Sequence, residues 1–144
     1  MKKQKIYFFL CIAALFLSGI SCNSTEDDVI SYTVSESVRV SGFSLAANDS
    51  VLAHLDTIFF TIDLNKGQIY NADSLPVGTD VSALIANISF DNVAQAKIYM
   101  DKGDPAKNDT IDYIANPTDS IDFTSKVSLE VTAQNGTTVK WYSV

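Results

Sequence analysis

The sequence predicts an all-β domain, an antiparallel sandwich of seven or eight short strands, preceded by an export signal. Three observations predict it. Apolar and polar residues alternate in short segments, which places every second side chain on one face. Those segments are bounded by Asn, Asp, Gly and Pro, the residues that turn a chain. No long stretch repeats its apolar residues at the helical spacing of about 3.6. In a chain of 144 residues, one modest domain fits once a targeting segment is set aside.

The N-terminus supplies that segment. Lys2, Lys3 and Lys5 give a positive start, and the run IYFFLCIAALFL (residues 6–17) carries no charge over 12 residues. As a helix it would cover about 18 Å at roughly 1.5 Å per residue, against a hydrocarbon core of about 30 Å. Residues 1–21 therefore read as a cleaved signal rather than a permanent membrane span. Ser18, Gly19 and Ser21 lead to Cys22. Cys11 departs with the signal, which leaves Cys22 without a disulfide partner. Residues 22–35 open with CNSTEDD, too polar to pack, and read as a solvated tether carrying Glu26, Asp27 and Asp28.

Charge excludes two classes of partner. The chain has 17 acids and 10 bases, and loss of the three N-terminal lysines leaves 7 bases. Nucleic acid is excluded, because binding it rests on Lys and Arg neutralising phosphates. Charge-driven attachment to an anionic membrane is excluded for the same reason.

Residues 36–144 read as the β-domain. In TIFFTIDL, Ile58, Phe60, Ile62 and Leu64 share one face; in ANISF, Ala86, Ile88 and Phe90; in AKIYM, Ala96, Ile98 and Met100. Further strand candidates are residues 38–45, 68–71, 110–114 and 120–123, and residues 81–84 could form one helical turn. The C-terminal hairpin is the most sharply specified element. Asn135-Gly136 suits a two-residue type I′ loop with both residues at positive φ. Pairing Gln134 with Thr137 and counting outward sets Leu129 opposite Tyr142 and Val127 opposite Val144, all on one face. Glu130 and Trp141 fall on the other face. Trp141 is thus a candidate ligand contact, unless a neighbouring loop or a second domain covers it.

Catalytic chemistry finds no foothold, and the chain reads as not an enzyme. Its single histidine, His54, has no second histidine and no G-x-S-x-G serine nearby, so it reads as a sheet or loop residue. The ligand supply is too poor for zinc. Asp101, Asp104, Asp109 and Asp112 cluster in DKGDPAKNDTID but lack the D-x-D-x-D-G order of a calcium loop, and read as a solvated polar loop. No metal and no cofactor is expected.

Several stretches resemble known families. The small residues before Cys22 resemble the lipobox of bacterial lipoproteins, with Gly19 at the position where Leu, Val or Ile is usual. That resemblance implies cleavage before Cys22 and lipidation of its thiol; ordinary cleavage near Ser21, leaving a free thiol, is the alternative. Glu26, Asp27 and Asp28 resemble the acidic signal that takes Bacteroidota lipoproteins to the cell surface, the alternative being a plain tether facing the periplasm. GQIYNADSLPVGTDVSAL (residues 67–84) and DSIDFTSKVSLEVTAQNGTTVKWYSV (residues 119–144) resemble uncharacterised Bacteroidota lipoproteins with an N-terminal immunoglobulin-like or cadherin-like β-sandwich. Many of those continue into a β-propeller, so a truncated or fragmentary version is one expectation here. Asp followed by Ser or Thr and an aliphatic residue resembles the O-glycosylation acceptor of the same phylum. It nominates Ser50, Thr57, Ser74, Thr110 and Ser120, although a turn running into a strand explains the pattern equally well.

The expectation that follows is a lipid-anchored, non-catalytic module of the outer membrane. It sits at the cell surface and either binds a glycan or protein or acts as a spacer. The alternative is a pilin-like subunit that assembles by strand addition, which the short last strand suggests by leaving an exposed edge.

Overall fold

Eight strands follow one another along the described chain: β1 (Arg39–Leu45), β2 (Thr61–Asp63), β3 (Gln68–Tyr70), β4 (Ala86–Asp91), β5 (Val93–Asp101), β6 (Asp109–Asp112), β7 (Lys126–Ala133) and β8 (Val139–Ser143). The computed structural model describes residues 34–144. Cys22, Glu26, Asp27 and Asp28 lie outside the described residues. A short 3₁₀ turn at Leu55–Thr57 is the helical element among those described.

The strands form two sheets, so the expected all-β sandwich is what the chain adopts. β1 and β4 pair alone, and the other six are ordered β2-β3-β8-β7-β5-β6. Pairing is antiparallel except where β3 meets β8 at Gln68 and Ser143. Alternation does what it predicts on the large sheet. Ile111, Ile98, Leu129 and Tyr142 are successive cross-strand partners, and all four are buried. Val38, Val40, Leu45, Leu84 and Ala86 join the same core.

The chain changes sheets between β4 and β5 through one residue, Asn92, at φ 57°. Asn tolerates this left-handed conformation better than most side chains. Two tyrosines then tie the sheets together. The Tyr142 hydroxyl in β8 accepts the Val40 N–H of β1 at 3.3 Å. Tyr113, just past β6, accepts the Ile88 N–H at 2.8 Å and donates to the Ala86 carbonyl at 3.0 Å, both in β4. Its ring also meets Phe90 edge-on at 5.8 Å. Replacing Tyr113 with Phe keeps the ring and strands both backbone groups. The expected cost is about 1–3 kcal/mol, read by urea denaturation; an unchanged midpoint would mean water serves those groups as well as the hydroxyl does.

Several local expectations need correction. The paired strand in TIFFTIDL is only three residues long: Thr57 belongs to the 3₁₀ turn, and the residues from Ile58 to Phe60 lie outside the ladder although Ile58 is extended. Ile58, Phe60 and Ile62 still pack on the core, whereas Leu64 is exposed in the β2–β3 turn. Residues 120–123 make a single bridge, Leu84 to Ile121, with reciprocal bonds of 3.0 and 2.7 Å. Residues 81–84 make a turn that runs into that bridge and no helical turn. The hairpin register is as counted, with Leu129 opposite Tyr142 and Glu130 opposite Trp141. Its turn is not type I′. Gly136 is at φ 72° but Asn135 is not at positive φ. The Asn135 Oδ1 instead accepts the N–H groups of Thr137 and Thr138, each at 3.0 Å. The last strand is covered on its outer side only at its end, where Ser143 pairs with Gln68 of β3.

Candidate functional site

The outer face of the large sheet carries the sequence-nominated aromatic. Register places Asp112, Lys97, Glu130 and Trp141 side by side across β6, β5, β7 and β8. Alternation keeps all four off the core face. Trp141 is 53% exposed. Its ring lies 5.4 Å from that of Tyr99, tilted by 33°, within the range of favourable aromatic pairing. Tyr99 in turn donates its hydroxyl to Glu130 Oε2 at 3.1 Å. Burial first, and then the Glu130 carboxylate, holds the Tyr99 phenol above its ordinary value. The phenol therefore keeps its proton and the hydrogen bond through neutral pH. The hairpin count had already set Glu130 beside Trp141, whereas Tyr99 was not singled out from the sequence. Alternation puts Tyr99 on the outer face, but only the pairing of β5 with β7 brings it beside Trp141.

The backbone under Trp141 is fixed from the far side. Gly67 follows the β2–β3 turn at φ 61°, and its carbonyl accepts the Ser143 N–H at 2.8 Å. A Cβ on Gly67 would stand 2.5 Å from the Trp141 carbonyl oxygen. The turn itself is wound on Asp63, whose Oδ1 accepts the N–H groups of Asn65 and Lys66 at 3.0 Å each. Those bonds, the one from Lys66 foremost, lower the Asp63 pKa. The result is an aromatic pair on an anchored backbone, with a carboxylate at its edge.

Residues 31–144 match the family described as "Domain of unknown function (DUF6242) N-terminal domain". The chain belongs to that family. No curated protein matches it, and no solved structure does.

The DUF6242 domain disperses the other residues nominated from sequence. His54 is an exposed loop residue whose carbonyl accepts both the N–H of Thr57 at 3.0 Å and its Oγ1 at 2.8 Å. The four aspartates of residues 101–112 each serve their own stretch of chain. Asp101 accepts Gly103 N–H, Asp104 accepts Ala106 N–H and pairs with Lys107, Asp109 accepts Thr110 N–H, and Asp112 accepts Ala115 N–H. No group of three or more His, Cys, Asp or Glu among the described residues is arranged to hold a metal ion. Ser50, Thr57, Ser74, Thr110 and Ser120 are all exposed. The aliphatic residue after each turns inward: Val51, Ile58 and Leu75 pack against the core, and Ile111 and Ile121 are within it. The tripeptide thus marks a place where the chain leaves solvent for the interior.

Proposed function

We propose that this DUF6242 domain is a non-catalytic glycan-binding module, held to the outer membrane of a Bacteroidota cell by lipid on Cys22 and displayed at the surface. The single observation behind the binding role is Trp141, half-exposed and braced by Tyr99. A sugar ring offers a flat C–H face and outward hydroxyls. The first suits an indole, and the second suit the Glu130 carboxylate, which can accept more hydrogen bonds than the one from Tyr99. Because the two rings already pack on each other, less side-chain freedom is lost on binding than from a lone tryptophan. The acidic tether of Glu26, Asp27 and Asp28 gives the module reach from the membrane, and the five exposed Asp-Ser/Thr hydroxyls are its candidate O-glycan attachment points. Assembly by strand addition has weaker support. Strands β2 and β6 end the large sheet, are three and four residues long, and carry Asp63, Asp109 and Asp112, which is how natural sheets discourage edge pairing.

Affinity electrophoresis through a panel of neutral polysaccharides tests the reading. The wild-type protein should be retarded by at least one of them. Trp141→Ala should lose about tenfold or more in affinity, as hot-spot aromatics do, with its melting temperature nearly unchanged. Equal retardation of the two proteins, or none across the panel, would sink the glycan role.

A further inference from the structure

A second row of side chains crosses the sheet beside the one that holds Trp141, and its chemistry is uniform. Register sets Tyr99, Ser128, Ser143 and Gln68 next to one another on β5, β7, β8 and β3. Each adjoins in sequence a residue of the buried core, Ile98, Leu129, Tyr142 and Ile69 in turn. Alternation therefore puts the whole row on the outer face. Tyr99, Ser128 and Ser143 carry hydroxyls, Gln68 carries an amide, and none is charged. Ser143 and Gln68 are exposed. Neighbouring strands lie about 4.8 Å apart, so the row covers about 14 Å of sheet. Thr110 on β6 would extend it past Tyr99, but a sugar attached to Thr110 would cap that end. The free stretch runs from Tyr99 to Gln68.

The aromatic pair stands on this line. Tyr99 belongs to the row, and Trp141 is on the strand at the other side of β7. Their rings, 5.4 Å apart, therefore meet above β7, on the face that carries Ser128 and Glu130. From there the hydroxyl of Ser143 and the amide of Gln68 lead away across the strands. Polar groups repeated at strand spacing match an extended polysaccharide, whose edge hydroxyls recur at nearly the same interval.

We infer that the bound glycan is a neutral, linear, β-1,4-linked polysaccharide lying across the strands, from the Trp141–Tyr99 rings over Ser143 to Gln68. The inference rests on the glycan-binding reading of Trp141 and adds the linkage, the direction and the length of the site. Equatorial β-1,4 links between gluco-, manno- or xylo-configured rings keep a chain extended, so successive units stay over successive strands. An α-1,4 chain coils and leaves a straight row. Neutrality follows from charge. With 17 acids against 10 bases the protein repels a polyanion, which would also meet the Glu130 carboxylate beside the rings. Sheet twist, about 20–25° per strand, turns positions beyond the row away from a straight ligand. About four units therefore fill the site.

Isothermal titration with cello-, manno- and xylo-oligosaccharides, from disaccharide to hexasaccharide, tests this, with malto-oligosaccharides as the coiled control. At least one extended series should tighten up to about the tetrasaccharide and then level off, while the malto series gains nothing with length. Ser143→Ala and Gln68→Ala should each weaken the tetrasaccharide about threefold to tenfold, the equivalent of one hydrogen bond. Both should leave the disaccharide, held at the rings, unchanged. Affinity that is flat from the disaccharide upward would overturn the inference. So would an equal loss at every length in the two variants, a malto series that matches the extended ones, or no binding by any series. Each of these results, obtained while a polysaccharide still retards the wild type and not Trp141→Ala, removes this binding mode and leaves the glycan role standing. Loss of that retardation removes both.

Discussion

Replacing Gly67 with Ala should destabilise the domain by roughly 2–4 kcal/mol, the largest effect expected of any single methyl group added here. Two costs combine. At φ 61° an L side chain incurs about 1–2 kcal/mol from its own backbone. The new Cβ would also stand 2.5 Å from the Trp141 carbonyl oxygen, and backbone on both sides leaves no flexible end to move aside. The β2–β3 turn must then lift from β8, which weakens the Ser143 to Gly67 bond. Gly136→Ala is the internal control. That glycine also has positive φ, 72°, but a Cβ there meets nothing within 4 Å. Its expected cost is only the conformational part, about 1 kcal/mol. Urea denaturation of the three proteins decides the matter. Equal losses for the two variants would mean that the contact with Trp141 adds nothing and that φ alone governs both sites.

That contrast shows what the sequence could and could not reveal. The hairpin register was legible, because Asn135-Gly136 and the flanking alternation give the same count. Its turn type was not. Asn135 had two ways to serve a turn, positive φ or side-chain acceptance of N–H groups, and a dipeptide rule does not choose between them. In TIFFTIDL the alternation ran on past the strand. It marked which side chains face the core, as Ile58, Phe60 and Ile62 do, but core-facing residues need no ladder partner. The role of Gly67 was illegible because its constraint comes from Trp141, 74 positions away in the chain.

The candidate sites divide along the same line. Trp141 could be placed on the outer face by counting from a turn. Glu130 comes with it from the same count, whereas Tyr99 joins only once β5 is known to pair with β7. The tyrosine ties are similar. Tyr142 reads as an apolar-face residue and Tyr113 only as part of a strand candidate, and their hydroxyl partners lie in the opposite sheet, which strand patterns do not assign.

Changing Cys22 to Ser should release nearly all of the protein from membranes into the soluble fraction, with loss of metabolic palmitate labelling. The argument is one of competing forces. With Lys2, Lys3 and Lys5 lost to the proposed cleavage, 17 acids would face 7 bases, so an anionic bilayer would repel the mature chain. On the proposed reading, acyl chains on Cys22 hold it instead. One chain gives marginal, reversible attachment, about 10⁴ M⁻¹, whereas several give a durable anchor. Serine keeps the small polar shape of the residue and removes the thiol that would carry the lipid. The β-domain should be unaffected, since its described strands begin at Arg39. A companion variant with Glu26, Asp27 and Asp28 all changed to Ala separates anchoring from display. It should keep the palmitate label and move from protease-accessible on intact cells to protected. Labelling that survives Cys22→Ser would defeat the lipid anchor. A wild type already protected on intact cells would leave the anchor standing and turn the module toward the periplasm, where Trp141 would have no extracellular glycan to meet.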